Sequence, residues 1–162
     1  MVQPTTVPSG EAVGTVPAAR LRGSELAGDI PFLLARARAQ STANANVALE
    51  PLNLKVRAFS VLWLACEDLE PSQRELSDFL NLDPSQIVAL IDDLERRGAV
   101  TRQADPRDRR QRIIRATPAG RRLLRKARNL VESANDRSLG ALTEQEREQL
   151  GRLLTTLLSG PG

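Results

Sequence analysis

The chain has 162 residues, 41% of them hydrophobic, with a net charge of +3, which suits one domain with a real core. It holds no histidine and one cysteine, Cys66, which excludes an internal disulfide and a multi-cysteine zinc site and removes the commonest general base and metal ligand. No apolar run nears the roughly 18 residues of a membrane span, and the start lacks a secretory signal, so the reading is a cytoplasmic protein, not an enzyme, with no cofactor, metal or membrane contact.

The charge is unevenly placed. From Thr101 to Arg128 eleven basic residues face two acids, Asp105 and Asp108, so this stretch carries +9 and the rest of the chain −6. A basic block in an otherwise acidic chain predicts a polyanionic partner. Only Lys55 and Lys126 are lysines, and the other cations are arginines, the better phosphate and groove ligands. A genome-wide bias toward arginine accounts for the type but not for the clustering.

In chain order, residues 1–22 carry Pro4, Pro8 and Pro17 among small polar residues and predict a flexible N-terminal arm. Asp29-Ile30-Pro31 has a capping acid and a first-turn proline, which predicts a helix to about Leu49 with a polar middle at 41–46. A second helix is expected at about 53–68, with Val56, Phe59, Leu62, Trp63, Cys66 and Leu69 on a broad apolar face. Three helix starts then share one pattern, a capping oxygen with Glu or Gln three residues on: Ser72/Glu75, Asp83/Gln86 and Thr143/Glu146. The helices at 72–80 and 84–97, joined by Asn81-Leu82 and stopped by Gly98, make a helix-turn-helix. Leu76, Phe79, Leu80, Ile87, Leu90, Ile91 and Leu94 are its expected core.

Strands are predicted at 99–102 and 112–116, around the turn Asp105-Pro106-Arg107-Asp108-Arg109-Arg110. Thr117-Pro118 then caps a helix to about Leu139, with Gly120 at low cost in its first turn. The last helix, 144–158, carries Leu150, Leu153, Leu154, Leu157 and Leu158. The fold class is mainly α: a winged helix-turn-helix of four helices, strand, wing, strand and two helices. Residues 53–122 form the DNA-binding domain, and residues 23–52 and 123–162 form dimerisation helices whose apolar faces no sheet covers. The second helix of the pair suits the major groove, the arginine hairpin stands beside it, and a homodimer would hold two reading heads about one turn of double-stranded DNA apart.

Gln73-Arg74-Glu75-Leu76, the run 83–90, Leu94-Glu95-Arg96-Arg97-Gly98 and the run 105–110 continuing into Ala116-Thr117-Pro118-Ala119-Gly120 resemble the MarR family of bacterial regulators over about residues 72–122. The resemblance implies a transcriptional regulator, usually a repressor, that binds a pseudo-palindromic operator. It implies that Asp108 buttresses the wing while Arg110 enters the minor groove, with Arg107 and Arg109 on phosphates. It places Ser85 and Gln86 at bases or phosphates, and Ser72 and Gln73 at the backbone. It implies a small aromatic or phenolic ligand in a cleft that Phe59 or Trp63 would line. The chain departs from the pattern at Val88 and Ala89, where a small hydroxyl and a basic residue are common, and at Asp93, often basic. The alternative is a winged-helix protein-interaction module with weak or lost DNA binding. Cys66, on an apolar helix face beside Glu67 and Asp68, reads as a buried small side chain with a raised pKa rather than a redox switch.

Overall fold

The computed structural model describes residues 20–67, 69–106, 108, 110 and 111–159. Most of the arm, residues 1–19, and the wing arginines Arg107 and Arg109 therefore lie outside the described residues. Six helices and one two-stranded antiparallel sheet follow in the expected order: α1 (Ile30–Leu49), α2 (Val56–Cys66), α3 (Gln73–Leu80), α4 (Pro84–Arg96), β1 (Val100–Ala104), β2 (Arg112–Ala116), α5 (Pro118–Ser138) and α6 (Glu144–Ser159). None of these helices is long and apolar enough to cross a membrane.

The chain divides into two compact units at residue 39/40, within α1. In the first, a short 3-10 helix at Glu25–Gly28 leads to the cap of α1, where the Asp29 carboxylate accepts the Phe32 N–H at 3.0 Å. Arg36 lies over the Phe32 ring, 5.7 Å from its centroid.

The second unit is built around α2. Its sequence is apolar on every side except Arg57 and Ser60, and a helix of that kind has to be surrounded. Ala58, Phe59, Val61, Leu62 and Ala65 are buried, and they share one core with Leu76 of α3, Ile87, Ile91 and Leu94 of α4, Val100 and Ile114 of the sheet, and Leu124, Ala127 and Val131 of α5. The helix starts at Val56, three residues later than the sequence suggests. Asn53 is left-handed, at φ 47°, and closes a 3-10 turn at Glu50–Leu52, so the helix cannot begin before Lys55. The polar middle of α1 has a use: the Asn46 side chain accepts the Val56 N–H at 2.9 Å and so caps α2 from a distance.

The helix-turn-helix closes as expected, with one change in its core. Asn81 takes the left-handed conformation at φ 49°, and the Ser77 hydroxyl donates to the Leu82 carbonyl at 2.6 Å. Ser77 thus takes an inward position, and Phe79, about 110° round the helix from the centre of the buried arc of Leu76 and Ser77, is 76% exposed. Phe79 is therefore not part of the core. β1 pairs with β2 from Val100↔Ala116 to Ala104↔Arg112. Ser72 adds one bridge to Ile113, and the Ile114 N–H donates to the Pro71 carbonyl at 2.9 Å, which clips the start of α3 to the base of the hairpin.

Gly120 has a stricter role than a cheap first-turn residue. A Cβ there would sit 2.0 Å from the Ala99 carbonyl oxygen, and only glycine lets α5 approach the backbone before β1 this closely. Thr117 completes the joint, accepting the Gly120 N–H at 3.0 Å and donating its hydroxyl to the Gly98 carbonyl at 2.6 Å.

Candidate nucleic-acid interface

Three local structures position the predicted contact residues. At the start of α3 the capping box is complete: the Ser72 N–H donates to Glu75 at 2.7 Å and the Glu75 N–H to the Ser72 hydroxyl at 3.2 Å. Gln73 is the half-buried first residue of that helix.

At the start of α4 the pattern differs from a capping box. The Asp83 carboxylate accepts both the Ser85 N–H at 2.8 Å and the Ser85 hydroxyl at 2.5 Å, and the hydroxyl bond, followed by the backbone bond, holds the Asp83 pKa below its usual range. Gln86 does not return the favour to the cap. Its Oε1 instead accepts from Arg57 Nη1 at 3.4 Å. Ser85 and Gln86 are exposed in the first turn of α4, with Val88 and Ala89 exposed just beyond.

The wing is turned by Asp108. One carboxylate oxygen accepts the Arg110 N–H at 3.0 Å, the other accepts from the Gln111 amide at 3.3 Å, and the Asp108 carbonyl accepts the Gln111 N–H at 2.9 Å. This closed turn leaves Arg110 exposed at the tip. Below it, the Asp105 N–H donates to the Gln111 carbonyl at 3.0 Å, and Asp105 is buried at the base of the wing.

The helix and the wing are fastened to each other. The Arg102 guanidinium of β1 bonds Asp92 through one nitrogen and Glu95 through another, and the Arg102 N–H donates to Glu95 at 3.1 Å. Burial lowers the Arg102 pKa, but hydrogen bonds and charge from the two acids outweigh it and hold it above its usual value. Asp93 is likewise occupied, by Arg97 at 2.7 Å and Arg96 at 3.1 Å. Asp93, where the family is often basic, is thus paired with two arginines, while Asp92 and Glu95 share Arg102.

Some expected residues lie elsewhere. Phe59 is 5% exposed and belongs to the core, and Trp63 meets it edge-on with centroids 5.4 Å apart. Trp63 donates its Nε1–H to Glu67 at 3.0 Å and lies under Arg128, 4.5 Å from the ring centroid. Neither lines the groove of about 400 Å³ between α2 and α4, whose walls include Leu54, Lys55, Arg57, Gln86, Asp93 and Arg97. Nor do they line the cleft of about 270 Å³ where Asn44, Val47 and Ala48 meet Ala134, Arg137 and Ser138. Phe59 is drawn into packing, whereas Trp63 stays half-buried at the edge of the core. Arg121, in the first turn of α5, donates to the Cys66 carbonyl at 2.7 Å.

Burial pushes the Cys66 thiol up, with Arg121 opposing in part. The direction matches the sequence reading, but the cause is burial rather than the neighbouring acids. Among the described residues no group of three or more His, Cys, Asp or Glu side chains could hold a metal ion. The sequence reading missed Lys55, Arg57 and Arg102. For Arg57 a signal was present, since it is the one charge in an otherwise apolar helix.

Comparison with known proteins agrees with this geometry. The family model described as MarR family matches residues 54–111. The transcriptional repressor Rv2887 of Mycobacterium tuberculosis is 31% identical over 134 residues, 82% of this chain and 96% of the relative. CouR from Rhodococcus jostii RHA1, solved bound to p-coumaroyl-CoA, is 41% identical at a TM-score of 0.78, covering 86% of this chain and 99% of its own. A transcriptional repressor CouR bound to a 23-mer DNA duplex is 31% identical at a TM-score of 0.76, covering 85% of this chain and 96% of its own. With its helix-turn-helix, its aspartate-turned arginine wing and relatives of this identity along most of its length, the chain belongs to the MarR family.

Proposed function

We propose that this protein is a transcriptional repressor that binds a pseudo-palindromic operator as a homodimer in the cytoplasm, performs no catalysis, and leaves DNA when a small effector binds. The observation that carries the reading is the joint between reader and wing: α4, with Ser85 and Gln86 exposed in its first turn, is clasped through Arg102 to the strand that leads to Arg110. A helix N-terminus in the major groove and an arginine in the minor groove need such a fixed spacing. Asp108 holds the turn, Arg107 and Arg109 contact phosphates, and Ser72 and Gln73 fix the register from α3. Val88 and Ala89 supply apolar contact to thymine methyl groups in place of hydrogen bonds.

The outer helices bring the two reading heads together. Leu150, Leu153, Leu154 and Leu157 of α6 form one exposed stripe at helical spacing, and Ile30 and Leu33 of α1 are also exposed. A second copy covers such faces and sets the half-site spacing. The effector class is a phenolic acid or its acyl thioester, supported by the likeness to CouR and its p-coumaroyl-CoA.

Fluorescence anisotropy against DNA from upstream of the gene tests this. Specific binding should exceed that to a scrambled duplex by at least about 1,000-fold and weaken steeply with salt. p-Coumaroyl-CoA should release the DNA. Equal, weak binding to both duplexes would sink the repressor reading, and the exposed Arg110 would then want another partner.

A further inference from the structure

We propose that Arg57 is a positioning residue for base reading: it takes the amide oxygen of Gln86, so that Gln86 offers its NH2 group to the DNA and selects guanine over adenine at one position of each half-site. The inference rests on the DNA-binding reading above and goes beyond it to the base that is read.

The argument starts from what arginine can do. A guanidinium only donates, so the Gln86 atom 3.4 Å from Arg57 Nη1 is the oxygen, and the orientation of the amide is fixed by chemistry. Free glutamine reads adenine by accepting from N6 and donating to N7, which needs both ends of the amide. With Arg57 on one lone pair of its oxygen and the guanidinium standing at that end of the amide, the end of Gln86 left for a base is the NH2 group with its two donors. In the major groove guanine presents two adjacent acceptors, O6 and N7, and matches a donor pair.

The surroundings keep Arg57 on this task. It is the second residue of α2, at the rim of the groove between α2 and α4, with Leu54, Ala58 and Leu90 among the lining residues. The acid in that groove, Asp93, is already bonded by Arg96 and Arg97 and does not draw Arg57 away. Lys55, at the N-cap of α2, is a like charge on the same rim and favours an Arg57 directed to a neutral oxygen. Gln86 is the third residue of α4, in the first turn that such readers place against base edges.

The test uses the full chain, its Arg57→Met, Gln86→Ala and doubly substituted variants, and duplexes that the wild type selects from a randomised library. Competition anisotropy is measured with each base at each half-site position. At one position the wild type should prefer guanine over adenine by roughly tenfold, and each single variant should bring that ratio to within about threefold. The double variant should do no more, because Arg57 acts through Gln86. Preferences elsewhere in the half-site should persist, which shows that the variants are folded. Uniform weakening by Arg57→Met with the guanine preference intact would overturn the proposal and leave Arg57 a phosphate contact. So would a Gln86-dependent preference for adenine. A wild type that selects no sequence would instead overturn the DNA-binding reading beneath it.

Discussion

Single residues in this chain carry functions that their type does not announce. Gly120 is the clearest case. In sequence it is a tolerable glycine in the first turn of a helix, yet the Ala99 carbonyl occupies the space a Cβ would need. The close neighbour is backbone and cannot swing aside. Gly120→Ala should therefore cost about 1–3 kcal/mol, read as a lower urea midpoint with an unchanged slope. It should also weaken operator binding, because α5 and the start of β1 share that joint. Cys66 makes the opposite point: a residue type associated with switching sits where chemistry is suppressed. Burial raises its pKa and Arg121 only partly opposes this. The reactive species is the thiolate. Alkylation by iodoacetamide at pH 7.5 should thus be slower in the folded protein than in urea, with peroxide leaving DNA binding intact. Faster reaction in the folded state would contradict this account.

The elements were legible from sequence to different degrees, and the reason lies in the range of the interactions. Caps and turns are local, so Ser72 with Glu75, Thr143 with Glu146, Thr117 and Asn81 do what their positions suggest. Asp83 and Gln86 have the same spacing but part company, because Arg57, 29 residues before Gln86, competes for the glutamine. The wing clasp was illegible for the same reason. Asp92 and Glu95 look like a solvated helix face until the hairpin folds back and brings Arg102 between them. Phe79 leaves its expected core place while Phe59 keeps its own, because three-dimensional packing, not apolar character, decides which helix face is inward. Two predictions belong at this scale. Arg102→Met keeps the stem but removes both ion pairs, leaving two carboxylates close together. It should lower stability by about 1–3 kcal/mol and weaken operator binding more than it weakens binding to random DNA, measured by anisotropy. At the start of α6, the Thr143 N–H first and its hydroxyl second hold Glu146 below its usual pKa of 4.5. A depressed carboxylate contributes stability that is complete above its unfolded value and lost as pH falls through the folded one. Thermal melts should therefore show Tm falling on acidification below about pH 4.5, with Glu146→Gln shrinking that part of the change. An identical pH profile for the variant would show that the box contributes nothing.

At the scale of the molecule, the chain keeps its buried core around α2 and leaves apolar surface at its ends. Leu153, Leu157 and Leu158 of α6 are 61%, 60% and 85% exposed, and a soluble monomer has little reason to keep such a stripe. Leu150, Leu153, Leu154 and Leu157 have the i, i+3, i+4, i+7 spacing of a helix that packs against another helix. The same chain holds its strongest charge in one block around the wing, so the two kinds of surface are separated along the sequence: association at the ends, reading in the middle. That separation makes the two activities linked but distinguishable. Replacing Leu153 and Leu157 together with glutamate should leave the core of α2 to α5 folded, since neither residue reaches it, while abolishing the dimer by sedimentation. Each head should then still touch one half-site. Affinity for the full operator should fall roughly 100-fold or more, because the second contact is no longer intramolecular. The dependence of log affinity on log salt should drop to about half, because half the phosphates are neutralised. A variant that is monomeric yet keeps full operator affinity and slope would show that one chain suffices for reading, and the apolar stripe would then need another purpose.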